Sequence, residues 1–478
     1  MAEFWKNRKV VFVIMKVNRI MLAAPRSGSG KTMITCALLQ ALKNRGQQVV
    51  SYKCGPDYID PMFHEHVIDI PSKNLDTFFT GSEDTKALFL KERKEEEFVI
   101  LEGVMGLFDG LGGIREEGSS YHLAEVTKTP IVLVVDAKGM GRSVVAFIAG
   151  FLSFDKAKLI KGVILNKMSK SYYDIIRPII EEELKILVFG YFPEQKELHL
   201  ESRHLGLVMP GEIRKIKDQL QKAAEVLEKT VNLEKLMETS KEAEELERHD
   251  QKQESVVEHK GKEASEKTVI AVAKDEAFCF YYAENLSLLQ EYGAEIKYFS
   301  PLYDKELPDN CHGLLIGGGY PELYAKELSL NESMHRAIRQ AAENHMPIVA
   351  ECGGFMYLHS SITDEEGNSY HMVGVLSASC HYTGKLVRFG YIELQEKQSS
   401  FLPEGEKIRG HEFHYYDSSD NGADCLARKP FTSREYDCVI ERDNCWLGFP
   451  HLYYPANIEF ARSFVQKAEQ YRKMKKEN

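Results

Sequence analysis

Short, uninterrupted apolar runs recur along the first half of the chain, each followed by a polar or glycine-rich loop and a stretch of helical character. Ile20–Ala23 leads through a small-residue loop into the helix-like run Met33–Leu42. Further runs over 47–53, 98–101, 130–136 and 160–166 read as strands, with helical segments between them. Apolar runs of this length fit strands buried on both faces, and their alternation with helices predicts a doubly wound parallel α/β sheet. From about Leu236 to Lys267 the pattern lapses into Glu/Lys-rich sequence, which cannot bury enough apolar surface to order itself and reads as a charged linker. The α/β rhythm resumes at Thr268–Ala273 and continues through 293–300, 313–320 and 347–354. The expected organisation is an extension over 1–15, a first α/β domain over 16–235, a linker over 236–267 and a second α/β domain over 268–478.

Length and composition agree with two sizeable cores: 478 residues, 43% hydrophobic and 28% charged. A net charge of -11 with no visible basic face argues against nucleic-acid binding. The apolar run Val10–Ile14 is too short to cross a bilayer and no small-residue cleavage site follows it, so no membrane association is expected. Met15-Lys16 leads straight into the first strand, which makes Met15 an expected translational start. The nine cysteines include no C-x-x-C pair, which points to a reduced, cytoplasmic setting and away from thiolate metal sites. Neither a nucleic-acid nor a membrane partner is therefore expected, and self-association is left open.

The chemistry of the first half centres on Ala24-Pro25-Arg26-Ser27-Gly28-Ser29-Gly30-Lys31-Thr32, between a strand and a helix. It departs from G-x-x-x-x-G-K-[ST] only in having Pro25 where the first glycine stands. Gly28, Ser29 and Gly30 let backbone N–H groups turn onto a polyphosphate beside the helix N-terminus, Lys31 reaches the outer phosphates, and the Thr32 hydroxyl can ligate Mg²⁺. A nucleoside triphosphate is thus the expected ligand. Parallel strands deliver their loops to one edge, so Lys53, Asp57 and Asp60 after the second strand, and Glu102 at the end of the third, are expected to face this loop.

In the second half Cys352 lies between the strand-like 348–350 and a helix-like segment opening at Gly353-Gly354. A nucleophile on such a turn is held exposed, with the helix dipole favouring its thiolate. Gly317-Gly318-Gly319 ends the preceding strand, and Gly318 and Gly319 are candidate oxyanion donors. A general base is also required, and among 16 histidines no spacing rule selects one.

These motifs, with Lys53-Cys54-Gly55-Pro56-Asp57-Tyr58-Ile59-Asp60-Pro61, Glu102-Gly103-Val104-Met105-Gly106-Leu107-Phe108-Asp109-Gly110, Gly317–Glu322 and Glu351–Tyr357, closely resemble the cobyrinic acid a,c-diamide synthase family of cobyrinate-type glutamine amidotransferases. The resemblance covers nearly the whole chain outside the first fifteen residues and the charged linker. It implies a dethiobiotin-synthetase-like front domain and a class I glutamine amidotransferase-like back domain, which together amidate the a and c side-chain carboxylates of cobyrinic acid. In that family Cys352 would attack the glutamine amide and His451 would activate the thiol. The position two residues after the histidine, a glutamate in ordinary class I enzymes, is here Tyr453. Thr32, Asp60 and Glu102 would hold Mg²⁺, Lys31 and Lys53 would stabilise phosphate charge, Asp57 and Asp109 would position the phosphorylated intermediate or the ammonia, and Asn166 would contact adenine. The activated intermediate would be an acyl phosphate. Hydrogenobyrinic acid and Ni-sirohydrochlorin are the alternative tetrapyrroles, and a regulatory phosphate-loop ATPase with an inert rear module is the remoter alternative. Ser202–Leu207 and Gly410–Tyr415 also resemble family motifs, whose histidines, His204, His411 and His414, are expected either in satisfied polar networks or in substrate contacts. His64-Glu65-His66 reads as a solvated surface turn.

Overall fold

The computed structural model describes residues 11–91, 93–94, 97–195, 210–250, 267–442 and 444–477. They divide into two compact units, one on either side of residues 251–266.

The front unit is built on seven strands: β2 (Asn18–Ala23), β3 (Val49–Cys54), β4 (Ser72–Leu75), β5 (Phe98–Glu102), β6 (Ile131–Asp136), β7 (Ile160–Asn166) and β8 (Leu187–Phe192). They pair in the order β4-β3-β5-β2-β6-β7-β8, all in parallel, as the unbroken apolar runs predict. Alternate residues feed two core layers. Ile20 and Leu22 pack with Ile34 and Leu38 of helix α1 (Lys31–Asn44) and with Leu220 and Leu227, whereas Met21 and Ala23 pack with Leu123, Val144 and Ile176. The chain lays β3 to β5 on one side of β2 and β6 to β8 on the other. The loop after β2 thus opens where the winding direction reverses, the usual ligand crevice of such sheets.

The expected extension and linker both require correction. Val11–Met15 forms a strand, β1, paired antiparallel with Leu246–Asp250, β9. Between them Leu233–Ser240 is a helix, capped by the Asn232 side chain, that buries Leu233 and Leu236. Lys16 Nζ donates to the Ala243 carbonyl at 2.7 Å, and the fully buried Arg19 donates to the carbonyls of Val17, Thr127, Lys128 and Glu244. Sparse apolar residues at Leu233, Leu236, Ala243 and Leu246 suffice here because a buried guanidinium gathers the backbone around itself. Of the expected linker, 251–266 lies outside the described residues, as does Ser202–Leu207.

The rear unit has a six-stranded sheet in the order Ala294–Phe299, Thr268–Ala273, Gly313–Ile316, Ile348–Glu351, Cys445–Gly448 and Ile440–Arg442. The first five run parallel and the last is antiparallel. A separate five-stranded antiparallel sheet contains Arg388–Glu396, Lys407–His414 and His451–Leu452, and it delivers the late histidines. Among the described residues no helix is long and apolar enough to cross a membrane.

Candidate functional site

Gly28 and Gly30 adopt φ of 77° and 86°, the left-handed region that glycine tolerates, and Gly30 caps α1. A Cβ at Gly30 would lie 2.2 Å from Asn166 Nδ2, which donates to the Ser29 carbonyl at 2.8 Å. Asn166, which the resemblance implies at adenine, braces the phosphate loop through this bond. Ser29 Oγ donates to the Arg26 carbonyl. Lys31 Nζ donates to the carbonyl of Met105, a residue held at φ 47° on the loop after β5. That loop is pinned to the phosphate loop, since Leu107 N donates to the Ala24 carbonyl and Gly106 packs against that of Pro25. Asp109 closes it by accepting from Gly106 N at 3.0 Å.

Below the loop the expected carboxylates converge. Thr32 Oγ1 donates to Glu102 Oε1 at 2.8 Å, and Lys53 Nζ bridges that oxygen at 3.0 Å to Asp60, with Asp57 at 3.8 Å. Burial opposes the charge of Lys53, but Asp60 and Glu102 outweigh it and keep the ammonium protonated. Burial and the neighbouring Asp60 push Glu102 up to about 7 and Asp57 up to about 6. Burial also works against the ionised form of Asp60, yet Lys53 holds it below the usual carboxylate range. Burial and Lys53 lower Lys31 to about 8.

His64 differs from its expected place. Glu65 and His66 are exposed, but His64 is fully buried at the start of a π-helical turn, His64–Ile68. Its Nδ1 lies 3.1 Å from Ser51 Oγ and 3.3 Å from Ser72 Oγ, and its Nε2 is 3.6 Å from Glu102 Oε2. Both Nε2 and Glu102 Oε2 are buried without a hydrogen-bond partner. Burial lowers His64 to about 4, so the ring is neutral and presents Nε2 to the carboxylate. The Thr32 hydroxyl with Asp60 and Glu102, one of whose oxygens is orphaned, forms a hard oxygen donor set that fits Mg²⁺.

In the rear unit Cys352 joins Ile348–Glu351 to the short helix Gly353–Tyr357 with φ 48° and ψ -104°, a strained elbow. Its N–H donates to the Gly448 carbonyl of the neighbouring strand at 2.8 Å. The glycines around it are required by space. A Cβ at Gly354 would meet the Ile316 carbonyl at 2.0 Å, and one at Gly353 would meet Pro321 Cδ at 2.9 Å and Gly319 N at 3.1 Å. A Cβ at Gly318 would lie 2.4 Å from His451 Cε1. Nucleophile turn, glycine loop and His451 are thus brought into one place by three distant segments.

Burial, followed by the charge of Glu322, raises the Cys352 thiol well above its ordinary value. Burial, aided by the neighbouring His414, lowers His451 to about 3. Both groups are thus neutral, which suits general-base activation of the thiol during attack. The His451 ring stacks on His411 at 4.9 Å, and His411 lies within hydrogen-bond reach of the Tyr282 hydroxyl at 3.2 Å. His414 stacks on Phe449 at 3.9 Å. Tyr453 packs edge-on against Tyr282.

Two buried carboxylates here have no signature in sequence spacing. Glu351 accepts from the Leu452 N–H and from the Tyr454 hydroxyl, which ties the strand before the nucleophile to the segment carrying His451; burial pushes it up to about 8. Glu412 is fully buried among Arg388, Lys429, Tyr436 and His414, and although burial opposes its charge, those partners hold it ionised.

The family model described as a CobQ/CobB/MinD/ParA nucleotide binding domain matches residues 20–208, and that described as a CobB/CobQ-like glutamine amidotransferase domain matches 269–455. The chain is 41% identical to the cobyrinate a,c-diamide synthase of Caldanaerobacter subterraneus subsp. tengcongensis over 94% of its own length and 98% of that protein. It is 40% identical to the enzyme of the same name from Clostridium acetobutylicum, over 94% and 99% of the two chains.

Proposed function

The chain belongs to the cobyrinate a,c-diamide synthase family, and from that premise we propose that it amidates the a and c side-chain carboxylates of cobyrinic acid, using glutamine and ATP. The relatives span both units, so it is a glutamine-dependent amidoligase, and the reading as a regulatory ATPase with an inert rear module is set aside. The observation that carries the proposal is the packing of His451 against Gly318 beside the Cys352 elbow, on one chain with a phosphate loop whose Thr32 and Lys53 meet at Glu102.

In the rear unit His451 takes the thiol proton as sulfur attacks the glutamine amide carbon, with Gly318 and Gly319 N–H groups as the oxyanion donors. The proton passes to the departing nitrogen, leaving a thioester that water hydrolyses to glutamate. In the front unit a substrate carboxylate oxygen attacks the γ-phosphorus of ATP, giving an acyl phosphate and ADP. Ammonia then attacks the acyl carbon and phosphate leaves. Lys31 and Lys53 balance the phosphate charge, while Asp57 and Asp109 orient the intermediate and the incoming amine. Mg²⁺, held by Thr32, Asp60 and Glu102, would supply further neutralisation of phosphate charge.

The test is mass analysis of product from cobyrinic acid, hydrogenobyrinic acid and Ni-sirohydrochlorin with ATP, Mg²⁺ and glutamine. The expected result is two amidations, fastest on cobyrinic acid. A faster reaction on either alternative ring would reassign the substrate, and no amidation of any ring would refute the proposal. Cys352→Ala is expected to abolish glutamine hydrolysis while leaving amidation with high ammonium.

A further inference from the structure

We propose that Glu322 binds the α-ammonium group of glutamine, so that the substrate itself neutralises a negative charge set beside the nucleophile. This rests on the rear unit's action as a glutaminase.

Glu322 lies in the single turn Pro321–Tyr324, immediately after the glycine loop. Pro321 and Gly319 both abut Gly353, the residue following Cys352, so the turn is packed on the nucleophile elbow. Three carboxylates act on the Cys352 thiol, namely Glu322, Glu412 and Glu351, and Glu322 acts most strongly. The other two are engaged: Glu412 with Arg388, Lys429 and Tyr436, Glu351 with the Tyr454 hydroxyl and the Leu452 N–H. Glu322 is half-buried and has no cationic neighbour among the described residues; burial pushes its carboxyl up to about 7, offset only by its own backbone N–H.

An uncompensated carboxylate at this point works against chemistry that develops charge on sulfur. It becomes useful once a cation arrives with the substrate. Glutamine carries one, its ammonium, separated from the amide carbon by four single bonds of about 1.5 Å, or about 5 Å extended. A carboxylate on the turn beside the elbow is therefore within reach of the ammonium when the amide is at Cys352. The same contact selects an α-amino acid amide over other primary amides and lowers the barrier to thiolate formation only when the site is filled.

The experiment uses the full chain and compares glutamine with glutaramate, the same five-carbon amide without the amino group. Wild type is expected to favour glutamine by about 10- to 100-fold in kcat/KM, the worth of one charge-assisted hydrogen bond. Glu322→Gln should lose that factor on glutamine while turning over glutaramate at least as fast as wild type, since no cation offsets the carboxylate there. Alkylation of Cys352 in the absence of substrate should be faster in Glu322→Gln than in wild type. Ammonium-dependent amidation, unchanged in the variant, reports that the chain is folded. Equal losses on both amides, or no loss on glutamine, would overturn the assignment. If instead Cys352→Ala still hydrolyses glutamine, the glutaminase reading itself fails, independently of Glu322.

Discussion

Gly318→Ala isolates the contact on which the rear site depends. Gly318 has no left-handed backbone angle, so alanine brings no conformational strain, only a methyl group. That methyl carbon would lie 2.4 Å from His451 Cε1, about 1 Å short of ordinary contact at 3.4 Å. The imidazole is buried and stacked on His411, so it has little room and must shift from its place by roughly that distance. A displacement of about 1 Å in a catalytic group costs on the order of 100-fold in rate, or about 2.7 kcal/mol in barrier height. Glutamine hydrolysis, followed by release of glutamate, should fall by this factor, with the larger part in kcat. Amidation driven by ammonium salts should stay at the wild-type rate, because the synthetase residues lie on the other unit. A Gly318→Ala enzyme within about twofold of wild type on glutamine would refute the placement of His451 as the base.

Three other outcomes follow from the geometry. His64→Ala removes the neutral ring facing Glu102 and should raise the Mg²⁺ concentration needed for half-maximal ATP-dependent amidation by about 10- to 100-fold, with glutaminase activity unchanged and Mn²⁺ binding, read by electron paramagnetic resonance, weakened in parallel. Arg19→Ala orphans four carbonyls and should destabilise the front unit by about 3 kcal/mol, lowering its calorimetric transition by roughly 6–12 °C. With burial and His414 holding His451 near 3, the base stays unprotonated as pH falls, so in Glu322→Gln, which removes the neighbouring carboxyl near 7, kcat for glutamine hydrolysis should remain flat from about pH 7.5 to about pH 5, where an ordinary histidine would already have cost about 30-fold; a kcat limb at pH 6.5 in that variant would contradict the buried, neutral imidazole.

Much of this protein was decided locally. A strand buried on both faces has no choice but a continuous apolar run, so the parallel strands Asn18–Ala23, Phe98–Glu102 and Ile131–Asp136 show directly in the order of residues. Turns that need Gly28, Gly30, Gly353 and Gly354 show equally well, because backbone angle or space forbids a side chain there. Thr32, Lys53, Asp60 and Glu102 follow from their strand ends. The tertiary structure alone decided the rest. His64 reads as surface because its neighbours Glu65 and His66 are polar, and only packing against Ser51 and Ser72 turns it inward. Residues 236–250 read as part of a linker because their few apolar residues are outnumbered, and only distant partners, Lys16, Arg19 and the strand Val11–Met15, gather their backbone. His451, Glu412 and Glu322 gather around the Cys352 elbow and its glycine loop from segments far apart in the chain, and such convergence leaves no periodicity to read. Local patterns record what each residue needs from its immediate neighbours, whereas a polar group's partner across the fold exists only once the chain has closed around it.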